Sequence, residues 1–227
     1  MSLSFFNGEN DILDFGLLQE DWLLTLKQNR AIAVIRAPQF EVGVQMARAV
    51  AAGGIRLIEI TWNSEKAGTL ISQLRSDLPD CVIGTGTLLT LEDLQGAIAA
   101  GAQFCFTPHT NPSLIQAAAQ RQTPMIPGAL SPTEIVTAWQ AGAPCVKVFP
   151  VKSVGGAEYI RSLQGPLGQI PLIPTGGVTV ENTPDFLAAG AIAAGLSSNL
   201  FPKAAVAQGD WSVISDRAKA LVTAIAS

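Results

Sequence analysis

The chain has 227 residues, 48% of them hydrophobic and 14% charged, with a formal net charge of −4. That length suits one α/β barrel, the composition excludes a largely disordered chain, and the acidic balance argues against a general nucleic-acid binder. A single histidine excludes sites that need two or more imidazoles, among them the His-rich zinc hydrolases.

Residues 1–30 hold five acids against Lys27 and Arg30, so the rest of the chain is nearly neutral. Attraction for an anion must then come from locally placed groups. The first fifteen residues, MSLSFFNGENDILDF, carry acids where a signal peptide needs a basic region. Gly, Pro and charges interrupt every apolar run before it reaches the length of a membrane span. Cys81, Cys105 and Cys145 are scattered in apolar runs, as expected of buried thiols in a reducing compartment. A soluble, cytoplasmic protein with no membrane contact is expected.

Residues 16–29 predict an amphipathic helix with Leu18, Trp22, Leu23 and Leu26 on its apolar stripe, covering the bottom of the fold or packing beside the last helix. Eight short apolar runs follow. They are 31–36 (AIAVIR), 56–62 (RLIEITW), 81–87 (CVIGTGT), 104–108 (FCFTP), 124–128 (PMIPG), 145–150 (CVKVFP), 171–177 (PLIPTGG) and 191–198 (AIAAGLSS). Their spacing of roughly 20–26 residues is that of a βα unit. Between them lie helical patterns at 40–52, 91–100, 111–120 and 131–141, and a last helix at 211–226. Asn111-Pro112 and Ser131-Pro132, with Glu134 at the capping-box position, mark two helix starts. Gly53, Gly101, Gly142 and Gly190 stand where helices should end. No GxGxxG or Walker loop follows the first strand. The expectation is an α/β fold, a (β/α)8 TIM barrel with an additional N-terminal helix, forming one domain over 1–227 with the barrel from residue 31.

In such a barrel the chemistry sits at the C-terminal ends of the strands. Lys147 interrupts the apolar run CVKVF; buried there it loses hydration, which lowers an amine's pKa and frees it to attack a carbonyl. Glu59 interrupts LIEIT on the same strand face as Thr61 and Asn63, and a buried carboxylate needs a partner or a raised pKa. The pair reads equally as an ion pair or as nucleophile and proton shuttle. Thr175-Gly176-Gly177 and Ser197-Ser198 end the seventh and eighth strands, where barrels often hold phosphate. Thr85 and Thr87 can hold a carboxylate or simply make a tight turn. Arg36, ending the first strand, can grip an anion or pair with a surface acid. Pro108 and Phe149, at strand ends, complete the candidate substrate-binding set. His109 reads as a loop residue, Trp22, Trp139 and Trp211 as helix packing, and Trp62 as a neighbour of the barrel mouth.

The ordered segments AVIRA (33–37), AGGIRLIEIT (52–61), IGTGT (83–87), AGAQFCFTP (100–108), IPGALSPTE (126–134), VKVFP (146–150) and PTGGV (174–178) resemble the 2-keto-3-deoxy-6-phosphogluconate (KDPG) / 4-hydroxy-2-oxoglutarate (KHG) aldolase family. The resemblance spans residues 31–218. It implies a class I aldolase that cleaves a 2-keto-4-hydroxy acid into pyruvate and an aldehyde. Lys147 would be its Schiff-base lysine and Glu59 its general acid/base, acting through a bound water. It implies that Thr87 holds the pyruvate carboxylate, and that Thr175, Gly176, Gly177 and Ser198 receive the far end of the substrate. It also implies a homotrimer with no metal and no organic cofactor. Three positions depart from the family pattern: Asn63 stands where Arg is common, Ser197 where Gly is common, and His109 where a small residue is usual. A phosphate-binding barrel isomerase, epimerase or synthase would share the PTGG turn but has no need of Lys147. A non-catalytic keto-acid binder is the third reading.

Overall fold

The computed structural model describes residues 9–226, with side chains from residue 19 onward. The start of the acidic leader and Leu18 of the expected stripe therefore lie outside the described residues and side chains. Helix α1 (Glu9–Asn29) leads into β1 (Ala31–Ile35), α2 (Phe40–Ala52), β2 (Leu57–Thr61), α3 (Ala67–Asp77), β3 (Val82–Gly86) and α4 (Leu91–Ala99). Next come β4 (Cys105–Phe106), α5 (Pro112–Ala119), β5 (Met125–Ile126), β6 (Gly128–Ala129), α6 (Pro132–Gln140) and β7 (Val146–Val148). A 3-10 turn at Val151–Val154 precedes α7 (Ala157–Leu167), β8 (Leu172–Pro174), α8 (Thr183–Ala188), β9 (Ala194–Leu196), α9 (Lys203–Gln208) and α10 (Trp211–Ile225). Among the described residues no helix is long and apolar enough to cross a membrane.

Every strand pair is parallel. The strands run β5-β4-β3-β2-β1-β9 in one sheet and β6-β7-β8 in another. The two sheets curl into one TIM-like barrel. β5 and β6 adjoin across Pro127, and a parallel bridge between Thr175 and Gly195 links the β8 edge to β9. The fifth expected strand is thus broken in two. Proline has no N–H to donate to a ladder, although the Pro127 carbonyl still accepts from the Lys147 N–H at 2.9 Å.

Strand alternation sorts the side chains into two cores. Ala33, Ile35, Ile58, Ile60, Ile83, Cys105, Val146, Val148 and Leu196 face the helices. Ile32, Val34, Leu57, Phe104, Phe106, Ile126, Cys145 and Ile173 face the barrel axis, together with Trp22 and Leu26 of α1. The N-terminal helix therefore plugs the barrel bottom. Its Trp22 stacks on Phe104 with centroids 4.9 Å apart, and Phe104 meets Phe106 edge-on at 5.8 Å. The helix is longer than the 16–29 pattern and starts by Glu9.

Helix starts follow the local signals where a cap exists. The Asn111 side chain accepts from the Ser113 and Leu114 N–H groups, and Ser131 with Glu134 forms the expected capping box. Thr90 and Asp93 form another at α4. α3, α7, α8 and α9, which periodicity did not single out, begin without a side-chain cap. Gly101, Gly142 and Gly190 adopt positive φ as expected of helix ends, but at α2 the left-handed residue is Gly54. Gly53 is helical, and its missing Cβ admits α10: a Cβ there would lie 2.4 Å from the Ser215 carbonyl oxygen. Trp139 departs from the packing expectation and is 37% exposed.

Trp22 should carry much of the barrel-bottom stability. Trp22→Ala should lower the unfolding free energy by about 3–5 kcal/mol through the cavity it leaves. Leu24→Ala, on the exposed side of the same helix, should cost about 0.5 kcal/mol or less. Denaturant melts of the two variants check the difference.

Candidate active site

Glu59 lies on β2 in register with Val34 of β1 and Gly84 of β3. It is 1% exposed, and its Oε1 atom is buried with no protein hydrogen-bond partner. Burial pushes the carboxyl pKa above its ordinary value; the positive charges of Lys147 and then Arg36 pull the other way without cancelling it. An unsatisfied buried carboxyl oxygen is costly to a fold. Its presence here marks a group held ready for something other than packing.

Two inward glycines of β3 make that position possible. A Cβ on Gly84 would sit 2.4 Å from the Phe104 ring, and one on Gly86 would sit 1.8 Å from Glu59 Oε1. The glycines of IGTGT thus leave room for an aromatic floor and for the carboxyl above it. Thr85 points the other way, and its hydroxyl donates to the Ile60 carbonyl at 2.7 Å, so it is not part of the mouth. Thr87, half-buried just past the strand, has φ +64°, a conformation uncommon for a β-branched residue. Such outliers concentrate at functional sites.

Lys147 is the inward residue of β7, in register with Gly128 and Ile173, and is 6% exposed. Its Nζ lies 5.4 Å from the Phe106 ring centroid and 5.1 Å from that of Phe149. The Lys147–Glu59 attraction places amine and carboxyl in one interior, reached from opposite sides of the barrel. Two aromatic rings, one buried and one at the surface, flank the amine. Phe106 was not singled out from the sequence, yet the alternation of FCFTP puts it on the same face as Phe104 and Pro108. The Pro108 carbonyl packs where a Cβ of Gly128 would stand, 2.5 Å from it.

The loops after β8 and β9 form the other half of the mouth. The Thr175 hydroxyl tucks against Gly195, where a Cβ would lie 2.6 Å from Oγ1. Gly176 and Gly177 take φ +85° and +93°, which lets the backbone turn tightly beside Phe149 and Pro150. Lys152, another residue the sequence did not mark, runs its side chain across Gly177. The Asn199 side chain accepts from the Val180 N–H at 2.9 Å and from Arg217 at 3.0 Å, tying the two loops together. Arg36, Ser197 and Ser198 line a cleft of about 480 Å³ on the β1–β9 side. Asn63 and His109 are exposed in turns, and β2 ends at Thr61, before Asn63. Trp62 faces the helices, where a Cβ on Gly96 would lie 2.9 Å from its ring, and so departs from its expected place near the mouth. The thiols are structural: burial pushes Cys105 and Cys145 up to about 12.

The site can be compared with known proteins. The family model for KDPG and KHG aldolase matches residues 24–217. A 2-dehydro-3-deoxy-phosphogluconate aldolase of Treponema pallidum is 35% identical over 189 residues, covering 83% of this chain and 90% of that protein. A KHG/KDPG aldolase of Escherichia coli is 32% identical over 191 residues, covering 84% and 90%. The crystal structure of the KDPG aldolase of Legionella pneumophila, with pyruvate captured as a covalent carbinolamine intermediate, superposes with a TM-score of 0.81 at 28% identity. It covers 88% of this chain and 97% of that one. With a family model and two curated relatives agreeing along most of its length, the chain belongs to the KDPG and KHG aldolase family of lyases.

Proposed function

We propose that this chain is a class I aldolase that cleaves a 2-keto-4-hydroxy acid into pyruvate and an aldehyde, with Lys147 as nucleophile and Glu59 as general acid/base. The observation that carries this reading is one barrel interior holding a nearly buried amine and a buried carboxyl with a raised pKa, whose Oε1 has no hydrogen-bond partner in the protein. The carbinolamine trapped in the Legionella relative supports the same chemistry.

The Lys147 amine, once it has given up its proton, adds to the C2 ketone to give a carbinolamine; protonation of the carbinolamine hydroxyl and loss of water then give an iminium. The Glu59 carboxylate accepts the C4 hydroxyl proton. The C3–C4 bond then breaks, the aldehyde leaves, and the bonding pair passes into the iminium to form the enamine of pyruvate. The protonated Glu59 returns its proton to C3, and water hydrolyses the imine to release pyruvate and Lys147. A raised pKa suits this double duty, because the group must both take and give a proton near neutrality.

Thr87 is assigned to the substrate carboxylate. Phe149 and Pro108 line the mouth, and Arg36, Thr175, Gly176, Gly177 and Ser198 receive the far end of the substrate. The wider proposal includes a homotrimer in the cytoplasm. Leu89 and Leu91, about half exposed beside β3, are apolar groups that association would cover. Three buried free thiols fit a reducing compartment.

Pyruvate with borohydride should leave a reduced adduct on Lys147, located by peptide mass spectrometry and absent from Lys147→Ala; an adduct surviving that substitution refutes the imine. Cleavage needs the ionised carboxylate, so kcat/KM should fall as pH drops through the raised Glu59 pKa, giving an acid limb above the ordinary carboxylate range. Glu59→Gln should remove that limb and slow turnover by about 10²–10⁴-fold while the adduct still forms. Gly86→Ala, by pushing a methyl group into the space of Glu59 Oε1, should lower kcat about as strongly without abolishing the adduct.

A further inference from the structure

Two helices begin with the same clamp. Asp93 of α4 accepts from the Leu89 and Thr90 N–H groups at 2.9 and 3.0 Å, and Glu134 of α6 accepts from the Leu130 and Ser131 N–H groups, both at 2.8 Å. What precedes the clamp differs. Two residues ahead of Leu89 stands Thr87 with φ +64°, whereas residues 123–130 include no positive φ. A β-branched residue in that region is strained and persists only where its surroundings over-determine it.

The surroundings of Thr87 do so on both sides. The Gly86 carbonyl before it accepts from the Trp62 N–H at 2.7 Å, and the Leu88 N–H after it donates to the Phe106 carbonyl at 3.3 Å. Leu88 is fully buried, and the next two N–H groups both end on Asp93. The Thr90 bond completes the capping box of α4; the Leu89 bond reaches one residue further back toward Thr87. Burial raises the Asp93 pKa, but hydrogen bonds from Leu89, Thr90 and the Trp62 side chain outweigh it and hold the carboxyl below its ordinary value. The acceptor is therefore charged near neutrality, and a charged acceptor holds an N–H about twice as strongly as a neutral one.

We propose that Asp93 is a positioning residue for the keto-acid half of the substrate: by holding the Leu89 and Thr90 amides it keeps Thr87 in its left-handed conformation, presented to the substrate carboxylate. The inference rests on the aldolase reading and on the assignment of Thr87 to that carboxylate. Asp93 touches no reacting atom and acts through the backbone of 87–90, so its loss should misplace Thr87 without moving Lys147 or Glu59. A carboxylate contact is made before and during bond cleavage alike, so the defect should appear in KM.

Borohydride trapping over a range of pyruvate concentrations tests it. Asp93→Ala should need about tenfold more pyruvate for half-maximal adduct on Lys147, the effect of losing one charge-assisted contact. Glu134→Ala removes the same clamp from α6 and should saturate like the wild type. Asp93→Asn keeps an acceptor and should need only about two- to threefold more. Should Asp93→Ala not fold, Asp93→Asn carries the test, and wild-type saturation in that variant then overturns the proposal. Thr87→Ala, alone and combined with Asp93→Ala, should saturate alike, because a residue that acts through Thr87 then has nothing left to position. In cleavage, Asp93→Ala should raise KM by a similar factor and leave kcat and the acid limb of Glu59 unmoved. Wild-type saturation in Asp93→Ala, an equal loss in Glu134→Ala, additive losses in the double variant or a displaced acid limb would overturn the proposal. Wild-type saturation in Thr87→Ala overturns it together with the Thr87 assignment, whereas no adduct in the wild-type protein refutes the aldolase reading.

Discussion

Glu59 and Lys147 are an acid and a base enclosed in the same apolar barrel, and most of the interior is arranged around them. Charges taken out of water are costly unless they are paired, coordinated or put to use. Here the carboxyl stays partly unsatisfied while the Lys147 charge only reduces the cost of its burial. Trp22, Phe104 and Phe106 form a stacked and edge-on aromatic floor, and the polar groups sit above it. The fold thus divides along its axis into an apolar lower half that stabilises and a polar upper half that reacts.

Small residues in the inner layer carry as much of the design as the reactive ones. Gly84 and Gly86 sit on alternate, inward positions of one strand and admit Phe104 and Glu59 respectively. Gly195 admits the Thr175 hydroxyl, and Gly128 admits the Pro108 carbonyl. Each of these glycines works by the space it leaves, whereas Gly176 and Gly177 work by their left-handed backbone. A recurring glycine in this family pattern therefore has two distinct physical meanings, and position on or off the strand tells them apart.

The candidate site was largely proposed from sequence pattern alone. A charge inside an apolar strand is an anomaly of local pattern, which is why Lys147 and Glu59 stood out, and strand-end position selected Arg36, Thr87, Thr175 and Ser198. What periodicity could not supply was facing. Thr85 and Thr87 are two residues apart and look alike in sequence, yet one caps a neighbouring carbonyl behind the sheet and the other ends the strand at the mouth. Trp62 follows the Glu59 strand but packs outward against α4. Lys152 was invisible beside the site, because a lysine in an exposed turn carries no anomaly until the fold brings it against Gly177.

The sequence by itself determined the alternation of strands and helices, the capped helix starts at Asn111 and Ser131, and the identity of the two misplaced charges. These depend on interactions within a few residues or on the apolar period. The tertiary structure alone decided that α1 plugs the barrel and that Glu59 and Lys147 share one interior from opposite sides. Those relations join residues tens to more than a hundred positions apart, and only closure of the barrel brings them within reach of one another's charge and volume.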